Sequence, residues 1–149
     1  MEIPSNKETE PNSYIIWIVD DEEEIRNMLP RFFGDIPTET FASAEEALDH
    51  LKKTQMPPDL LVTNINMQGP NGNVLAKEIA QHPSIKHLPA ILAMSGKPLE
   101  EEAKKTFEES STVFEFIRKP PDFGSFYNTC ADLLKKREVK KSPNLTNTT

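Results

Sequence analysis

The run Leu60-Leu61-Val62-Thr63, continued by Ile65, lacks polar alternation and passes straight into a turn built from Asn64, Asn66, Gln68, Gly69, Pro70, Asn71 and Gly72. A strand with one wet face alternates polar and apolar side chains. One that does not is buried on both faces, as in a parallel sheet covered by helices. Such sheets carry their functional groups just beyond the carboxyl ends of the strands. Asn64, Asn66 and the loop to Gly72 therefore fall at the working edge. The apolar run Tyr14 to Val19, which closes on Asp20-Asp21, is the natural neighbouring strand.

The remaining chain alternates strand and helix. After Asp20-Asp21, residues Ile25, Met28, Leu29, Phe32 and Phe33 repeat at helical spacing up to Gly34. Pro30 interrupts that pattern; it lacks an amide hydrogen and clashes one turn back, which predicts a kink or a shortened helix. Thr38 to Phe41 reads as a brief second strand. Ser43 and Glu46 form a capping box ahead of Ala44, Ala47, Leu48 and Leu51. The third helix is marked by Val74, Leu75 and Ile79 and ends near His82-Pro83. A fourth strand, Pro89 to Met94, stops at Ser95-Gly96 and precedes a sparse stripe of Leu99, Ala103 and Phe107. A fifth, Val113 to Ile117, ends at Arg118-Lys119-Pro120-Pro121, and Phe126, Tyr127, Cys130, Leu133 and Leu134 make the last amphipathic helix. Five strand-helix units with short connections predict an α/β fold: a doubly wound, five-stranded parallel sheet in a single domain. The expected limits are a disordered tail over 1–13, the domain over 14–137 and a second disordered tail over 138–149.

Composition narrows the function. A net charge of −7, with acidic residues crowded at Asp20 to Glu24, disfavours nucleic acid as a partner and favours a cation beside that cluster. The basic residues Lys135, Lys136, Arg137, Lys140 and Lys141 fall where the last helix should end and suit its dipole. No apolar run is long enough for a signal peptide or a membrane span, so a cytoplasmic location and no membrane partner are expected. Cys130, the one cysteine, reads as a small core residue. His50, His82 and His87 lack metal-ligand spacing and are expected at the surface.

The strand ends together place Asp20 and Asp21 after the first strand, Asn64 after the third, Ser95 after the fourth and Lys119 after the fifth. Each alone has a bland explanation: an acidic helix start, a cap, a solvated lysine. Their joint placement resembles the receiver domain of bacterial response regulators over residues 14 to 137, and the resemblance implies a flavodoxin-like strand order 2-1-3-4-5. In that family an aspartate at the end of the third strand accepts a phosphoryl group, and an acid pair holds magnesium. A hydroxyl and a lysine bind the phosphoryl oxygens, and an aromatic side chain follows the switch. The corresponding positions are Asn64 as acceptor, Asp20, Asp21 and the Asn66 backbone carbonyl as metal ligands, Ser95 and Lys119 as phosphoryl contacts, and Ser95 with Phe116 as switch residues. For Phe116 a core role is the competing explanation.

The departure from the family is Asn64. A neutral amide is no comparable nucleophile and cannot form the acyl phosphate, so aspartyl phosphorylation is expected to be absent and magnesium affinity weakened by the missing carboxylate. Gln68 stands where the family usually has proline, which favours a natural degenerate receiver over an Asp-to-Asn variant of a conventional magnesium-dependent phosphoacceptor. The expected role is a stand-alone receiver in two-component or phosphorelay signalling, not an enzyme beyond self-phosphorylation chemistry lost with Asn64. The resemblance implies a histidine kinase, phosphotransfer protein or downstream signalling protein as partner, met through the face of helix four, strand five and helix five, and a monomer or weak homodimer through that face. A phosphatase-like enzyme using Asp20 is the competing reading; such enzymes carry Asp-x-Asp, whereas here the aspartates are adjacent.

Overall fold

The computed structural model describes residues 14–141. Five strands, β1 (Ile16–Val19), β2 (Thr38–Phe41), β3 (Leu60–Asn64), β4 (Ala90–Ser95) and β5 (Val113–Arg118), form one parallel sheet in the order β2-β1-β3-β4-β5. Five helices connect and close them: α1 (Glu23–Met28), α2 (Ala44–Thr54), α3 (Gly72–Ala80), α4 (Glu101–Glu109) and α5 (Phe123–Lys141). This is the doubly wound α/β arrangement expected from the alternating units, in the flavodoxin-like order that the resemblance implied.

The strands β1, β3 and β4 are buried at every position, and their side chains divide by parity between two cores. Ile16, Ile18, Leu60, Val62, Leu92 and Met94 point to the face that also takes Leu29, Phe33, Phe126 and Leu134, under α1 and α5. Trp17, Val19, Leu61, Ile91 and Ala93 point to the other face, met by Leu51, Leu75, Ile79 and Phe107 from α2, α3 and α4. In-register pairing of Ile16 with Leu60, and of Leu60 with Ala90, brings the carboxyl ends of these strands to one edge.

Pro30 acts as its chemistry requires. The α-helix stops at Met28, and the chain continues as a tighter 3-10 turn, Leu29–Phe33, closed by Gly34 at φ 57°. The Ser43 cap is present, with Oγ accepting from the Glu46 amide at 3.1 Å; Glu46 reaches back to the amide of Ala42.

Two expectations need correction. The last helix does not end at Arg137 but runs to Lys141: Glu138 and Lys140 are good helix formers, and Lys140 Nζ donates to the Thr112 carbonyl at 2.7 Å. Residues 1–13 and 142–149, the rest of the two expected tails, lie outside the described residues. Only His87 is an exposed histidine. His50 is half-buried against Trp17 and Phe41 and pairs with Glu39 at 3.0 Å, while His82, also half-buried, is tied to Ser84. Cys130 is buried in the core as expected, and burial pushes its thiol pKa up.

The base of the sheet is fastened by a link with no local sequence signal. Arg137 Nη1 donates to Asp59 Oδ1 at 2.7 Å and its Nε to the Leu88 carbonyl at 3.0 Å, while Asp59 Oδ2 accepts from the Ile15 amide. One guanidinium thus joins α5 to the loops that enter β3 and β4.

Candidate functional site

Four strand ends meet at one edge of the sheet because the crossovers put β1, β3, β4 and β5 in register. Between them lies an open cleft of about 610 Å³ whose lining includes Asp21, Glu22, Asn64, Asn66, Ser95 and Lys119. Asp20 stands beneath the cleft with its side chain fully buried. The candidate site residues at the ends of β1, β3, β4 and β5 are therefore neighbours, as the pattern of strand ends required.

Lys119 organises the acidic side. Its Nζ lies 2.7 Å from Asp20 Oδ2 and 2.8 Å from Glu22 Oε1. Asp20 Oδ1 accepts from the Glu22 amide at 2.9 Å, and the Asp20 carbonyl accepts from Arg26 at 2.8 Å. Burial raises the Asp20 carboxyl above its ordinary range, and the Lys119 and Glu22 hydrogen bonds pull back against it. Burial also works against the charge on Lys119, but its bonds to the two carboxylates outweigh that and hold it protonated, above its ordinary value. The short contact between the two groups is that of an ion pair. The Lys119–Pro120 peptide is cis.

Asn64 organises the other side. It is the last residue of β3, nearly buried, and its Nδ2 donates to Asp21 Oδ1 at 3.2 Å and to the Asn66 carbonyl at 3.0 Å. The side chain of Asn66 continues outward, donating to Ser95 Oγ at 3.0 Å, and the same hydroxyl accepts from the Lys97 amide at 3.0 Å. Gly72 allows this close fit. It opens α3 against the end of β3, where a Cβ would collide with the Asn64 carbonyl oxygen and lie 2.8 Å from Thr63 Oγ1.

Phe116 stands apart from the cleft. It is half-buried on β5 opposite Ala93 and packs against the core that contains Phe107. Sequence reasoning missed two contributors. Glu22 joins Asp20 and Asp21 to place three carboxylates within 4.8 Å, but a run of acids at a helix start gives no sign of which one turns inward. The Asn66 side chain is the other, since an asparagine in a turn gives no sign that its amide reaches the Ser95 hydroxyl.

The resemblance implies a bound magnesium, and three carboxylates with a nearby carbonyl are suitable ligands for a hard cation. As arranged, however, the residues do not fit one. Asp20 and Glu22 share the Lys119 ammonium, and Asp21 and the Asn66 carbonyl share the Asn64 amide. Among the described residues no helix is long and apolar enough to cross a membrane.

Comparison with known proteins agrees with this geometry. A family model for the response regulator receiver domain matches residues 16–130. The DNA-binding transcriptional regulator NtrC of Klebsiella pneumoniae is 36% identical over 111 residues, covering 72% of this chain and 22% of that protein. The chain thus spans about a fifth of the length of the curated relatives it matches. Among solved structures, NtrX from Brucella abortus in complex with ATP superposes with a TM-score of 0.69 at 26% identity, covering 89% of this chain and 29% of that one. The Vibrio cholerae chemotaxis protein CheY4 shares the fold, with a TM-score of 0.68 at 22% identity over 81% of this chain and 98% of that one.

Proposed function

Because this chain belongs to the response regulator receiver domain family, we propose that it serves two-component signalling as a protein-contact module that accepts no phosphoryl group at residue 64. Membership implies partnership with a histidine kinase. The finer reading is carried by one observation: the side chain at the end of β3, where the family's acceptor stands, is an amide with both hydrogens committed to Asp21 and Asn66. Acyl phosphate formation needs a carboxylate oxygen to attack phosphorus, and an amide oxygen, neutral and conjugated, is a poor substitute. Lys119 and Ser95 are the groups that would contact the oxygens of a phosphoryl group, one that Asn64 cannot receive.

Signalling then rests on a surface. The face formed by α4, β5 and α5 suits that role: β5 is an edge strand of the sheet and is only half-covered along most of its length. The partner is a histidine kinase, a phosphotransfer protein or a downstream signalling protein, and self-association through this face would give at most a weak homodimer. The curated relatives are named DNA-binding transcriptional regulators, but this chain matches 22% of their length, so DNA binding is not carried over to it. Turnover of a phosphate ester by Asp20 is disfavoured, since its carboxylate is fully buried and bonded at both oxygens.

Incubation with acetyl phosphate and magnesium, followed by intact mass measurement, tests the reading. No adduct is expected on this chain. An adduct released by hydroxylamine, the mark of an acyl phosphate, would refute it.

A further inference from the structure

The groups that a divalent cation would use at the strand ends already have internal partners. Asn64 Nδ2 spends its two hydrogens on Asp21 Oδ1 and the Asn66 carbonyl, at 3.2 and 3.0 Å. Lys119 Nζ spans Asp20 Oδ2 and Glu22 Oε1, at 2.7 and 2.8 Å. Each of the four groups able to ligate a hard cation therefore has an oxygen engaged by an internal donor. An ion with near-octahedral demands must compete with these donors for its ligands.

We propose that the Asn64 amide takes the place of the divalent cation, drawing the Asp21 carboxylate and the Asn66 carbonyl together, so that the chain holds its strand ends without magnesium and does not respond to it. The tie does not stop at β3. Asn66 Nδ2 donates to Ser95 Oγ, which also accepts from the Lys97 amide, so one line of hydrogen bonds joins the loops after β1, β3 and β4. Asn66 is a positioning residue in this line, acting through its carbonyl on one side and its side-chain amide on the other. Aspartate at position 64 reverses the arrangement: its oxygens would face the Asp21 carboxylate and the Asn66 carbonyl with no hydrogen between them. Like charges then repel, and only a cation relieves the repulsion. The inference rests on reading this cleft as a receiver's acid pocket, but it is independent of the phosphoryl question, because a chain that takes no phosphoryl group can still bind magnesium.

The test is thermal unfolding of the native chain and of Asn64→Asp, each in EDTA and in a magnesium titration, with calorimetric titration of magnesium into both. A site filled to about ten times its dissociation constant raises the unfolding midpoint by a few degrees. The native chain is expected to show no rise and no binding heat. Asn64→Asp is expected to melt lower in EDTA and to recover with magnesium. A rise of several degrees in the native chain overturns the proposal, and so does an Asn64→Asp chain that melts alike with and without magnesium. Should Asn64→Asp fail to fold in either condition, Asn64→Ala decides the matter, because it frees Asp21 and the Asn66 carbonyl without adding a charge. A magnesium response gained in Asn64→Ala supports the proposal, and none gained overturns it. Absence of a phosphoryl adduct on the native chain would leave each of these outcomes as it stands.

Discussion

Replacing Lys119 with methionine removes the ammonium while keeping much of the side chain's apolar volume. In the native chain Nζ lies 2.7 Å from the fully buried Asp20 carboxylate and 2.8 Å from Glu22, whose side chain is 59% exposed. The exposed arm contributes less than about 1 kcal/mol, since water and salt screen it. The buried arm matters more: taking one partner from a buried ion pair costs about 3–5 kcal/mol, because the remaining charge has lost its compensation. Asp20 keeps the Glu22 amide as a donor and can take up a proton, both of which lower the cost. A loss of about 2–4 kcal/mol at neutral pH follows, or roughly 10 °C in the unfolding midpoint for a domain of this size. Urea unfolding in the presence of EDTA measures it. Asp20→Asn combined with Lys119→Met should recover most of the deficit, because the stranded charge is then gone. A deficit below about 1 kcal/mol, unchanged in the double variant, would refute the pairing and leave Lys119 a solvated lysine.

Three other outcomes follow from the same structure. Gly72→Ala places a methyl group against the Asn64 carbonyl and Thr63, and should destabilise by about 1–3 kcal/mol in denaturant unfolding, with chemical shifts moving at Asn64 and Asn66. Arg137→Met leaves Asp59, which is 22% exposed, without its ion pair and the Leu88 carbonyl without its donor; a loss of about 2–4 kcal/mol is expected, read the same way. Stability should fall as pH rises above about 9. Burial raises Tyr14 from 10.0 to about 12 and raises the Cys130 thiol, so the unfolded chain gives up protons that the folded chain retains. The fall begins at the unfolded thiol's ordinary value and continues through about 12 for Tyr14, and melting between pH 7 and 11 checks its direction.

The parts of the fold that sequence revealed are those where burial dictates residue type along a whole element. Strands β1, β3 and β4 are enclosed on both faces, so their apolar runs are continuous, and their ends are fixed by the first polar residue. Asp20, Asn64 and Ser95 are those residues. Pro30 was equally legible, since a missing amide hydrogen has a local consequence. The end of α5 was not: Glu138, Val139, Lys140 and Lys141 serve a solvated helix and an unstructured tail equally well, and the bond from Lys140 to Thr112 crosses from another element. Arg137 with Asp59, 78 residues apart, and His50 with Trp17 and Phe41 depend on how the layers stack. Within the cleft, residue types located the site, but the direction of each hydrogen bond required coordinates. The two amides at positions 64 and 66 became a connected line only when their partners were in view.

The central claim is that the amide at position 64 keeps this receiver from taking a phosphoryl group. It is tested most directly by intact mass after incubation with acetyl phosphate and magnesium, on this chain and on Asn64→Asp side by side. The account predicts no adduct on this chain and a single hydroxylamine-labile phosphoryl adduct on Asn64→Asp. An acyl phosphate on the chain itself, or none on Asn64→Asp under conditions where it is folded, would contradict it.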